Sequence, residues 1–134
     1  MLSVNSFVFY ENVATRSDGT PLFSGKYEEL IFDKYPITTD LNVFAIEMHA
    51  IGDFDGLFQI KVFLGEQLIH ETAPSLIHGR DEGGGGNIGF HGSIQKIKFP
   101  TPGIYKFDIL FNNEVLHSAS LTLLGPTPKK RKRH

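Results

Sequence analysis

FPTPGIYKFDILFNNEVLHSASLTLL, residues 99–124, decides the fold class of this chain. A Pro/Gly turn feeds a strand in which Tyr105, Phe107, Ile109 and Phe111 recur at every second position. That spacing turns the four large apolar side chains toward a core and leaves Lys106, Asp108 and Asn112 for water. An Asn-Asn-Glu turn then reverses the chain into a second strand, so the segment reads as a β-hairpin closing an antiparallel sandwich.

Working outward, SVNSFVFYENVA reads as an opening strand, and TRSDGTPLF, with Asp18-Gly19 and Pro21, as a turn or connector. YEELIFDKYPI follows as a second strand that Pro36 ends or edges. LNVFAIEMHAIG sets Phe44, Ile46 and Met48 against Val43, Glu47 and His49. GLFQIKVFLG sets Phe58, Ile60, Val62 and Leu64 against Gln59, Lys61 and Phe63, with GDFDG, residues 52–56, as the turn between the two strands. Gly65-Glu66 makes a tight turn into QLIHETA. Residues 74–92 hold seven of the fourteen glycines and show no sustained alternation until Ser93, which predicts a long mobile loop. About eight short strands at near ten-residue intervals predict an all-β chain. The expected fold is an antiparallel β-sandwich of immunoglobulin-like type over residues 1–125, with a disordered basic tail at 126–134.

The chain has 134 residues, 12 Phe, no Trp and no Cys. That length suits one domain with one core, and the absence of Cys fits a reducing cytoplasm. MLSVNSFVFYENV lacks a basic leader region, and no apolar run approaches the roughly 18 to 20 residues that span a bilayer, so neither an export signal nor a membrane partner is expected. The net charge of −2 hides an asymmetry. Five of the thirteen cations are Lys129, Lys130, Arg131, Lys132 and Arg133, leaving eight against fifteen acidic side chains, or −7, on residues 1–128. An acidic body argues against nucleic-acid binding by the folded domain and confines any polyanion contact to the tail.

Pro102-Gly103-Ile104-Tyr105 resembles the tyrosine corner of immunoglobulin-like domains, where a Tyr hydroxyl bonds upstream backbone. With Phe99 and Phe107 it completes an F-x-x-P-G-x-Y-x-F pattern. On that pattern and the order of strand blocks, residues 1–124 resemble a bacterial family of small β-sandwich proteins classed as a domain of unknown function. The resemblance implies a soluble sandwich without a transferable active site.

Chemistry-bearing motifs are sparse. Gly84, Gly86 and Gly89 satisfy G-x-G-x-x-G but lead into a strand instead of a helix, so a loop is the better reading. Asp53 and Asp55 suit a solvated turn better than a Ca²⁺ site, which needs about six to eight oxygens. None of the six His shows paired metal-ligand spacing, Ser93 lacks a nucleophile elbow, and neither a cofactor nor catalysis is expected. The expectation is a non-enzymatic module that recognises another protein through loops or an edge strand, with His78, Arg80, Asp81, Glu82, Asn87 and His91 of the glycine-rich segment as contacts. The alternative is a polyanion or small-ligand binder using that loop and the basic tail. A homodimer is also expected, through an edge strand or through outward Val43 and Phe63.

Overall fold

The computed structural model describes residues 2–80 and 86–126. The ten strands are β1 (Leu2–Thr15), β2 (Pro21–Tyr27), β3 (Glu29–Ile31), β4 (Ile37–Ala50), β5 (Phe54–Leu64), β6 (Gln67–Glu71), β7 (Ser75–Gly79), β8 (Gly86–Phe99), β9 (Gly103–Phe111) and β10 (Glu114–Leu124). One sheet has the order β2-β1-β4-β8, and the other β3-β10-β9-β5-β6 with β7 also paired to β5. Every pair is antiparallel except β3 on β10. The fold is a β-sandwich, as the alternation predicts.

The hairpin that opens the sequence reading forms as expected. Asn112 and Asn113 sit at φ 49° and 66°, the left-handed values that a two-residue turn matched to strand twist requires and that Asn tolerates. Tyr105 is fully buried, and its hydroxyl donates to the Thr101 carbonyl at 2.6 Å, closing the corner. Aromatic pairs tie the sheets together: Phe9 on Phe107 at 4.9 Å, Phe90 on Phe58 at 5.1 Å and Phe99 on Tyr105 at 4.9 Å, all edge to face. Each such pair adds about 0.5 to 1.5 kcal/mol beyond the apolar area it buries.

The structure corrects the sequence reading at several places. The TRSDGTPLF connector contains β2, with Pro21 at the first position of an edge strand, where no ladder N–H is needed. YEELIFDKYPI is not one strand: Tyr27 ends β2 in one sheet, only Glu29–Ile31 pair in the other, and Ile37 begins β4. GDFDG is no hairpin turn: β4 and β5 lie in different sheets, and pairing of β5 starts at Phe54. The described residues of the segment 74–92 are mostly strand, and residues 81–85 of the expected loop lie outside the described residues. β6 and β7 run successively along β5, interrupted where the Thr72 hydroxyl accepts the Ile60 N–H at 3.0 Å and Pro74 follows. β8 pairs with β4 from Gly86 onward, and Ile88 and Phe90 pack on the core.

Two side chains assigned to solvent are buried, Asp108 at 6% exposure and Val43 at 5%. Both lie on inner strands of their sheets, where neighbours on either side cover even outward-facing positions. Asp108 is flanked in register by Lys61 and Ser118, accepts the Ser118 hydroxyl at 2.6 Å and stands 3.6 Å from Lys106 Nζ. Val43 is therefore unavailable to a dimer interface, while half-buried Phe63 lies under Lys106 Nζ, 5.3 Å from its ring centroid.

Candidate functional site

The first hairpin does not stay in the plane of its sheet. In register, Phe23 and Tyr27 occupy the same nominal face of β2, opposite Val13 and Phe9. Tyr27 stacks on Phe9 at the core, whereas Phe23 stacks on Tyr10, at 4.9 Å and 20°. The face changes across Gly25, whose φ of +75° favours glycine and whose Cβ position would lie 2.8 Å from Glu11 Cβ. The arm formed by the end of β1 and the start of β2 thus curls over the outer face of the sheet. Phe23 reaches the His91 ring on β8 edge to face at 5.4 Å, across the width of β4.

Between arm and sheet lies a groove of about 260 Å³. Its floor follows from the register. Ser6, Glu47 and Gly89 form one row across β1, β4 and β8, and Val8, Ala45 and His91 the next. Small residues at 6, 45 and 89 keep the floor low; Tyr10, Phe23 and His91 supply aromatic walls. The Glu47 carboxylate is exposed, and the one ion pair among the described residues is Lys106 with Asp108, so Glu47 has no cation beside it there. This combination of π faces and a carboxylate favours a cation, since ring quadrupoles and negative charge act with the same sign.

The second feature beside this groove is the edge of β8 itself, which among the described residues pairs only with β4. Residues 93–99 protect that edge with Lys96 and Lys98 and with a bulge at Lys96, where φ is 56° and the Asp40 carboxylate accepts the Lys96 N–H at 2.7 Å. Residues 86–92, GNIGFHG, carry no Lys, Arg, Asp, Glu or Pro. This half of the edge therefore lacks the charges and proline that commonly oppose strand addition.

Of the contacts expected from sequence, His91 lies in the groove, and Asn87 lies beside it with Oδ1 3.0 Å from Nδ1 of His49. His78 and Arg80 do not join them. His78 is in β7, opposite Asp55 in the other sheet, and Arg80 follows directly. Asp81 and Glu82 lie outside the described residues, as do Lys129, Lys130, Arg131, Lys132 and Arg133 of the tail. Among the described residues no group of three or more His, Asp or Glu could hold a metal, and Gly86 and Gly89 of the G-x-G-x-x-G match sit within a strand. Sequence reasoning missed Tyr10, Phe23 and Glu47, which come from three different strands. The available signal was Gly25, an isolated glycine beside alternating aromatics, which marks a bend or close approach.

No family model and no curated protein matches the chain. Among solved structures it is similar to the crystal structure of a beta-glucosidase from Listeria innocua, with a TM-score of 0.53 over 93% of this chain and 10% sequence identity. The chain spans 16% of that enzyme's length, and at such identity the likeness is one of fold alone.

Proposed function

We propose that this chain is a non-enzymatic interaction module of the cytoplasm that takes an extended segment of a partner protein along the free edge of β8. The observation that carries this reading is the uncharged, proline-free edge at residues 86–92, on a 14-residue strand with one hydrogen-bonded neighbour. An added strand would satisfy the outward N–H and C=O groups of that edge, with side-chain contacts giving selectivity. The lack of Cys is compatible with the cytoplasm, and no helix among the described residues is long and apolar enough to cross a membrane.

The test compares nuclease-treated captures from native lysate by the N-terminally tagged chain, by a Gly86→Lys/Ser93→Lys variant, and by a Leu76→Lys control. Both edge positions are exposed, and a Cβ at Gly86 meets nothing within 4 Å, so the substitutions leave packing intact. A protein recovered by the wild type and the control but reduced at least about tenfold by the edge variant is the expected result, because edge lysines oppose strand addition. Retention of every partner by the edge variant would remove the edge as the binding site.

A further inference from the structure

The groove under the arm and the free edge of β8 meet at Gly89. This residue belongs to the groove floor and to the uncharged half of the edge, and nothing lies within 4 Å of the position its Cβ would take. The rim between Asn87 and His91 is therefore low, and a long side chain from a strand laid along β8 can pass over it. Neighbouring strands stand about 4.8 Å apart, so an extended side chain opposite Gly89 reaches the row of Glu47, in the groove that Tyr10 and Phe23 also line.

We infer that the groove is a receptor for one arginine side chain of the partner segment, stacked against the aromatic wall and paired with Glu47, a site that rests on the edge-binding reading above. Arginine fits better than lysine because its planar guanidinium stacks on aromatic faces while offering two parallel N–H donors to a carboxylate. The −7 balance of residues 1–128 favours a cationic segment in general, and Glu47, which has no ion-pair partner among the described residues, places that preference in the groove. Lys26, in register with Tyr10 on the neighbouring strand, neither pairs with Glu47 nor lies over an aromatic ring among the described residues.

The probe is N-acetyl-L-arginine methylamide, titrated into the isotope-labelled full chain and followed by backbone amide shifts, with the uncharged norleucine analogue in parallel. Shifts concentrated at Ala45, Glu47, Gly89 and His91, with the arginine compound binding more tightly, are expected. Glu47→Gln should weaken the arginine compound about tenfold, and Phe23→Leu about threefold, without changing the norleucine compound's affinity. Equal affinity for both compounds, insensitivity to Glu47→Gln, or shifts away from the groove would overturn the inference. The small probe needs no strand addition, so it should bind the Gly86→Lys/Ser93→Lys variant normally. Loss of edge-dependent capture with the probe intact would discard the edge and keep the groove; the reverse would keep the edge and discard the groove.

Discussion

Residues 86–92 and 93–99 are consecutive halves of one strand, hydrogen-bonded to the same β4, and they differ in burial and in edge chemistry. In the second half Ile94, Ile97 and Phe99 are essentially inaccessible, and bulge and lysines close the edge. In the first half Ile88 and Phe90 are only half-buried, glycines alternate with them, and the edge is open. Pairing to a neighbour is thus insufficient to define what a strand does. Burial decides which half anchors the sandwich, and the edge chemistry decides which half the proposed strand addition would use.

The sharpest way to break this contrast is by truncating one aromatic in each half. Phe99→Ala should cost about 3 to 5 kcal/mol in urea unfolding, because the ring is wholly enclosed against Tyr105. Phe90→Ala removes a partly exposed ring that touches Phe58 and should cost about 2 kcal/mol, with a compact native state retained. Equal costs would mean that both halves are anchors. Amide exchange sharpens the same comparison without mutation: residues 86–92 should exchange through local opening, while 94–99 should wait for global unfolding.

Tyr105→Phe probes the anchor more finely. It keeps the ring on Phe99 but deletes the donor to the Thr101 carbonyl, and a loss of about 1 to 2 kcal/mol is expected by the same unfolding measurement. Exchange of residues 86–92 should not change, since their opening does not depend on the corner.

The anchoring half was legible in the sequence and the open-edged half was not. Ile97 and Phe99 resume period two beyond the bulge, Tyr105, Phe107, Ile109 and Phe111 follow it without interruption, and the Pro-Gly turn and the Asn-Asn pair state their own geometry. From Ile88 to Ile94 the same alternation exists, but Gly92 occupies one inward position; a Cβ there would meet the Phe44 ring at 3.2 Å, which fills the space instead. Glycine needed for close approach therefore resembled glycine used for freedom. β2 was hidden by Pro21, and the burial of Asp108 and Val43 depends on sheet order, which periodicity does not specify. His91 was singled out because it borders the glycines, whereas its role in the groove comes from an arm folded by Gly25.

That arm gives the smallest and most specific prediction, because Phe23 is its contact with the open-edged half of β8. The arm's tip is held by Asp18, whose carboxylate accepts the Thr20 hydroxyl at 2.6 Å and the Thr20 N–H at 3.0 Å. These bonds, the hydroxyl first, hold the Asp18 carboxyl below its ordinary value. A carboxyl lowered in the folded state stabilises the fold above the unfolded value of about 3.9, and the contribution disappears as pH falls through the lower folded value. Asp18→Ala should therefore lower Tm slightly near neutral pH and converge with the wild type in strong acid. The same variant should speed amide exchange at His91 and its neighbours while leaving 94–99 unchanged. A uniform increase along the whole of β8 would mean that the arm supports the sandwich as a unit, and the division between anchoring and open-edged halves would then have to be redrawn around the arm.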